Sequence, residues 1–407
     1  MPKQQLGLGG TISIGLASML GAGVFVVFAT AYQIASGYIF WALGLAALVA
    51  TLNAAGIYQL ARQVDRPGGV YAYSRVYVND TVSFLSGFAF VFGKIASIAA
   101  IALVFQKYVF PSQPLIPSIA AIAVLTLINI LGINRTAAVA TVLSYSTTAF
   151  LAAVVVFAGQ PSESKINDAL AQLPEAGMFS VLTGAGVIFF AFAGYARVAT
   201  LGNEVRDSKR VIPKAIVISM ILVALLYFAL AVVLLNQQGS AIAGDETPVA
   251  TVFAKVTGNG WLSPLIAATA GLGSMLALLA GVSRTAATMA EDGELPRAFQ
   301  KRNRFGSPWL AEFLIAAGAV ILTSLGQIVW VIGFSSFSVL FYYAIGHLSA
   351  LRQPASERLV PRWINVLGIL LCAAISFSFG WVTLLVSSGI LVAAWLLRTL
   401  WRASKTK

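Results

Sequence analysis

Residues 10–33 read GTISIGLASMLGAGVFVVFATAYQ, a run without one charged side chain. A helix of about 20 apolar residues crosses the hydrocarbon of a bilayer, so this stretch is long enough to span it. Gly21-Ala22-Gly23 stands at its centre. Glycine costs about 1 kcal/mol against alanine inside a helix, and it lets the backbone leave helical geometry without a Cβ clash. The stretch therefore predicts a membrane helix interrupted near its middle.

Runs of the same kind recur outward from it, at 39–61, 82–108, 115–133, 136–158, 179–203, 212–236, 261–288, 310–326, 328–350, 364–379 and 380–401. Between Arg362 and Arg398 there is no charged residue, which leaves room for two crossings with a tight turn near Phe379-Gly380. Gly306, Pro308 and Glu312 blur the start of the ninth run. The expected fold is an all-α integral membrane bundle of about twelve transmembrane helices, forming a single membrane domain over 1–407.

Composition agrees. Hydrophobic residues make up 59% of the chain and charged residues 10%, against roughly 25% charged in soluble domains. A water-soluble fold of this size could not cover its surface with so few charges. The net charge of +12 would point to nucleic acid if it formed one patch, but the charges lie in short segments between apolar runs, so no nucleic-acid partner is expected. The single cysteine, Cys372, excludes an intrachain disulfide, and the single histidine, His347, argues against a histidine-based metal site. No cofactor or metal is expected. Met1-Pro2-Lys3-Gln4-Gln5 leads into an apolar stretch without a cleavage site, which reads as a retained first helix.

Lysine and arginine set the expected orientation. Of 26 such residues, Lys94 and Arg197 fall inside runs, Lys107, Lys165 and Lys255 lie in one alternating set of loops, and the remaining 21 lie in the other set. The richer set should face the cytoplasm. Both termini are then cytoplasmic, in a multi-pass protein of the cell membrane.

A second interruption occurs in the sixth run, where Phe192-Ala193-Gly194 follows Phe189-Phe190-Ala191. Ala22 and Ala193 stand 171 residues apart, on runs five places apart in order. An odd offset makes the second unit enter from the opposite side, the pattern of an inverted repeat with a binding site at the repeat interface. The units would be about 10–158 and 179–350, with extra helices at about 364–401. Unwinding at mid-membrane frees backbone N–H and C=O groups that hydrocarbon cannot satisfy. Half-helix N-termini favour a carboxylate and freed carbonyls favour an ammonium. Alternatively, the glycines serve only close helix packing.

These segments carry a resemblance. SMLGAGVF at 18–25, RPGGVYAYSR at 66–75, FFAFAGYARVATLGNEVRDSKRVIPKAI at 189–216 and SRTAATMAEDGELP at 283–296 resemble, in order, a bacterial permease of the amino acid–polyamine–organocation superfamily. The resemblance implies a leucine-transporter-like fold of five plus five inverted helices with two more. It implies that Gly21, Ala22 and Gly23 bind a substrate carboxylate through backbone N–H groups. The carbonyls of Phe192, Ala193 and Gly194, with those near Ser18, would hold an amino group. Phe192 or its neighbours would form an aromatic gate, and the 66–75 loop would pack on the cytoplasmic face. Ser144 takes the place where some proton-coupled relatives carry a lysine, and Ala196 and Asn203-Glu204 replace acids common in relatives. The missing acid weakens a dibasic substrate. Ser144, Ser274 and Lys94 are candidate coupling or substrate contacts.

Lys94 stands near the middle of the third run with no acid within a helical turn. A lysine at that depth costs about 3 kcal/mol on insertion scales and ordinarily faces a cavity or a partner. It serves coupling, contacts substrate, or is held structurally by carbonyls of an unwound helix. Gly87–Lys94 is no phosphate loop, since its spacing has a residue too many and Ile95 replaces the required hydroxyl. Arg197 faces a cavity, pairs with Glu204 or snorkels. Glu204 and Asp207, with Arg206, Lys209 and Arg210, read as a solvated helix end, His347 as structural, and Tyr342 and Tyr343 as packing or cavity lining.

The expected activity is secondary transport of amino acids or related amines by alternating access, through symport with a proton or sodium ion or through exchange. A polyamine or organic-amine permease or antiporter is the alternative. A channel fits less well, because channels favour symmetric rings. An enzyme would need a nucleophile with its base, or a metal cluster, and neither is visible.

Overall fold

The computed structural model describes residues 6–64, 66, 68–131, 133–158, 163–195, 198 and 205–405, with the side chains of 17, 22, 133–144, 163, 164, 209 and 405 outside the description. Among the described residues every regular element is helical, apart from an isolated bridge between Leu6 and Val205. The chain-order helices are α1 (Leu8–Met19), α2 (Val27–Ala35), α3 (Ile39–Ala61), α4 (Val70–Tyr77), α5 (Asp80–Val109), α6 (Ile116–Ile130), α7 (Ile133–Phe157) and α8 (Glu163–Ala171). They continue as α9 (Phe179–Phe192), α10 (Ser208–Gln238), α11 (Pro248–Thr257), α12 (Leu262–Glu291), α13 (Trp309–Ser324), α14 (Ile328–Arg352), α15 (Arg362–Ser378) and α16 (Trp381–Lys405).

Each apolar run of the sequence contains a helix, because hydrocarbon leaves the backbone no partner but itself. Six stretches among the described residues are long and apolar enough to cross a membrane: Val27–Ala61, Asp80–Val109, Arg210–Gly244, Leu262–Glu291, Ile328–Arg352 and Trp381–Ser404. Shorter apolar helices include α6, α9, α13 and α15. The molecule is a multi-pass, all-helical membrane protein. The first stretch is α2 and α3 joined through a 3₁₀ turn at Ser36–Tyr38, where Ser36 has φ +44°.

Local chemistry sets several boundaries. Asn79 caps α5 by accepting a hydrogen bond from the Val82 amide at 2.8 Å, and Asp80 adds a negative charge to its positive end. Gly380, with φ +83°, makes the turn between α15 and α16 that the Phe379-Gly380 pair predicts. Pro308 stands immediately before α13, which settles the blurred start of that run. The helices α4, α8 and α11 occupy segments that sequence periodicity leaves as connections. α11 starts with Pro248 in its first turn and ends at the left-handed Gly258. The sixth run stops being helical at Phe192, and residues 196, 197 and 199–204 lie outside the described residues.

α5 runs through the centre, packed on α14 and α12, while α9 lies on α2 and α3, and α1 on α10. The outward faces stay apolar. Trp41, Ile116, Leu127, Val156, Leu385 and Leu400 are all exposed, which suits a lipid surface and would not suit water.

Candidate functional site

α1 ends at Met19, and Leu20 and Gly21 leave helical geometry, with Gly21 extended at φ −81° and ψ −168°. A 3₁₀ turn, Ala22–Phe25, then leads into α2. α9 ends at Phe192 with Ala193 as its cap residue. The two interruptions meet. A Cβ placed on Gly194 would collide with the carbonyl of Ser18 and the Met19 amide, so only glycine permits this approach of two backbones. A Cβ on Gly23 would lie 3.0 Å from the Phe190 ring. Ser274 of α12 holds its hydroxyl against Gly21.

Released carbonyls need donors, and side chains from neighbouring helices supply them. The Tyr227 hydroxyl of α10 lies 2.7 Å from the Met19 carbonyl and 3.2 Å from that of Ala191, one donor shared between both interruptions. Tyr108 of α5 donates to the Phe25 carbonyl at 2.7 Å. Lys94, 5% exposed, donates from Nζ to the Ala193 carbonyl at 3.1 Å.

The structure thus brings Ser18, Gly21, Gly23, Ala193, Gly194, Ser274 and Lys94 into one neighbourhood, together with the backbone of Ala22. The Ser18 hydroxyl turns back to donate to Ile14 at 2.7 Å, so its carbonyl, not its side chain, faces the second interruption. The Phe192 ring packs on Tyr227 with centroids 4.9 Å apart, and its neighbour Phe190 is the aromatic against Gly23. The side chain of Ser144 lies outside the described residues, as do Ala196, Arg197, Asn203 and Glu204. His347 is held between α3 and α15, its ring nitrogens each 2.9 Å from the amide oxygens of Asn365 and Asn53. Tyr342 accepts from the Val70 amide at 2.9 Å, and Tyr343 stacks on Tyr195 at 5.1 Å.

Tyr108 and Tyr227 stand outside the motifs that mark the site in the sequence. Their signal was present: a tyrosine inside an apolar run must find a partner for its hydroxyl. The anchoring of the 66–75 loop has no signature in the sequence. Its residues from Val70 onward lie in α4, and Arg75 reaches Asp292 at 3.1 Å and Glu294 at 3.7 Å beyond the end of α12. Tyr71 donates to Asp292 at 2.9 Å; burial, and then that hydrogen bond, push its phenol above the usual value, so it remains a neutral donor. Glu294, fully buried, also takes Arg398 at 2.6 Å and Arg402 at 2.7 Å from α16.

Comparison with known proteins agrees with this architecture. The amino acid permease family matches residues 6–388. An uncharacterized transporter of Mycobacterium tuberculosis is 39% identical over 386 residues, covering 92% of this chain and 86% of the relative. A low-affinity putrescine importer of Escherichia coli is 24% identical over 419 residues, covering 97% and 91%. A mitochondrial cationic amino acid transporter of Arabidopsis thaliana is 26% identical over 329 residues, covering 72% and 52%. With a family match across nearly its whole length and helices interrupted where two backbones meet, this chain belongs to the amino acid permease family of the amino acid–polyamine–organocation superfamily.

Proposed function

We propose that the protein is a secondary transporter that moves amino acids or related amines across the cell membrane by alternating access. The observation that carries this reading is the meeting of the two interruptions, where Gly194 stands against the Ser18 carbonyl. The backbone N–H groups at Gly21, Ala22 and Gly23 take a substrate carboxylate, and the carbonyls of Phe192 to Gly194 and near Ser18 take an amino group. Phe190 and Phe192 close over the pocket. The two interrupted helices belong to inverted five-helix units within a bundle of about twelve crossings, with both termini in the cytoplasm. Rocking of one unit on the other exposes the site to each side in turn, driven by a proton, a sodium ion or a counter-substrate.

Counterflow in proteoliposomes tests this. Labelled amino acid should accumulate against an internal load of the same solute, saturably. Conductance that never saturates with solute would instead mean a channel. The full-length likeness to a putrescine importer favours a polyamine as the second reading, and the charge of the site bears on it.

A further inference from the structure

Resting on the transporter reading, we propose that Lys94 is a built-in cation of the substrate site that selects against a second positive charge, so the substrate class is carboxylate-bearing solutes with at most one ammonium. Putrescine and cationic amino acids are excluded.

The geometry comes first. Lys94 lies at the middle of α5, the helix that runs through the centre of the molecule, and is 5% exposed. Its ammonium donates to the Ala193 carbonyl at 3.1 Å. That carbonyl stands where α9 ends, at the negative end of the helix dipole, a place that favours a cation. Ala193 precedes Gly194, which touches the backbone of the first interruption. The lysine therefore occupies part of the ground that a substrate ammonium would otherwise take.

Charge balance comes second. Among the described residues no carboxylate is within ion-pair distance of Lys94. The acid on its own helix, Asp80, lies at the far end and engages Arg75 at 3.3 Å. The described acids nearest the cytoplasmic ends of α12 and α16, Asp292 and Glu294, are engaged by arginines. The neighbours across the adjoining face of α5 are hydroxyl and apolar groups of α14: Ser338 and Val339 against Gly93, and Ser335, whose hydroxyl is 2.7 Å from that of Ser97. The acid on α13, a helix packed on α5, is the buried Glu312, turned to the hydroxyls of Ser307 and Ser283. Among the described residues Lys94 therefore has a backbone carbonyl and no carboxylate as its hydrogen-bond partner, and a bound carboxylate would complete it. A further cation would meet it unscreened. Two like charges about 6 Å apart, at an effective dielectric of about 20, repel enough to shift a binding ratio about a hundredfold.

The test compares wild type with Lys94→Gln and Lys94→Met in full-length protein reconstituted in liposomes. Counterflow is measured for neutral, acidic and cationic amino acids and for putrescine, per monodisperse protein. Lys94→Gln keeps an N–H donor for Ala193 while removing the charge. Wild type should exchange neutral or acidic amino acids and leave arginine and putrescine behind. In both variants the arginine-to-neutral ratio should rise about a hundredfold. A lysine that only caps α9 would lower yield or melting temperature and leave that ratio where it was, which overturns the proposal. Wild type that exchanges putrescine or arginine as readily as neutral amino acids overturns it too. Absence of saturable exchange for every solute in wild type would sink the transporter reading itself, a result distinct from an unmoved ratio in an active carrier.

Discussion

At the scale of single residues, the molecule places polar side chains where apolar surroundings leave something unsatisfied. Tyr108, Tyr227 and Lys94 each find a carbonyl released by an interrupted helix. Glu294 is the opposite case, a fully buried carboxylate that collects Arg398 and Arg402, with Arg75 3.7 Å away. Removing one member of such a buried set leaves the others uncompensated and costs about 3 to 5 kcal/mol. Glu294→Gln should therefore lower stability by that order, read as the unfolding midpoint in detergent. A wild-type midpoint would show that the arginines repartner at no cost. None of these partnerships is readable from spacing, because Glu294 and Arg398 are over a hundred positions apart in the chain.

At the scale of elements, the two interruptions are one structure. α1 cannot end at Met19, nor α9 at Phe192, without losing intrahelical hydrogen bonds, and Tyr227 of α10 and Lys94 of α5 supply donors to carbonyls released there. Gly194 makes the approach possible, since a Cβ there would collide with backbone and not with a movable side chain. Gly194→Ala should consequently abolish substrate binding in a thermal-shift assay, where ligands raise the stability of the folded state, while the variant still inserts and purifies. Ligand stabilisation equal to wild type would mean the two backbones need not touch. The interruptions were legible in Gly21-Ala22-Gly23 and Phe192-Ala193-Gly194, because glycine in an apolar run is costly unless the backbone uses it. The connecting helices α4, α8 and α11 were not, because they are short and only partly apolar, and what stabilises them is packing. α4 is held through its Tyr71 and Arg75 by Asp292, and at its first amide by Tyr342, partners brought by distant parts of the chain.

At the scale of the whole molecule, topology follows from the uneven distribution of lysine and arginine. On a Cys372→Ala background, Thr257→Cys should react in intact cells with a membrane-impermeant thiol reagent, and Lys301→Cys only after permeabilisation. Both positions are exposed, and Cys372 itself is buried. Reaction at residue 301 but not 257 would invert the orientation. The apolar faces of the outer helices carry no such information by themselves, since they are the same toward either leaflet.

Solvent, helical class, the placement of the apolar runs and the two points of interruption were legible in residue order alone. These depend on length, composition and glycine position, which act locally. Residue order also carried the family, in four ordered segments. What each interruption faces came with helix packing: Ser18 offers its carbonyl and not its hydroxyl, Phe190 stands over Gly23, and Lys94 caps α9. Those outcomes arise from contacts between distant positions of the chain, 99 apart for Lys94 and Ala193 and farther for the other two. Such contacts exist only once helices have packed, because in hydrocarbon it is the neighbouring helix, and not water, that satisfies a released backbone group.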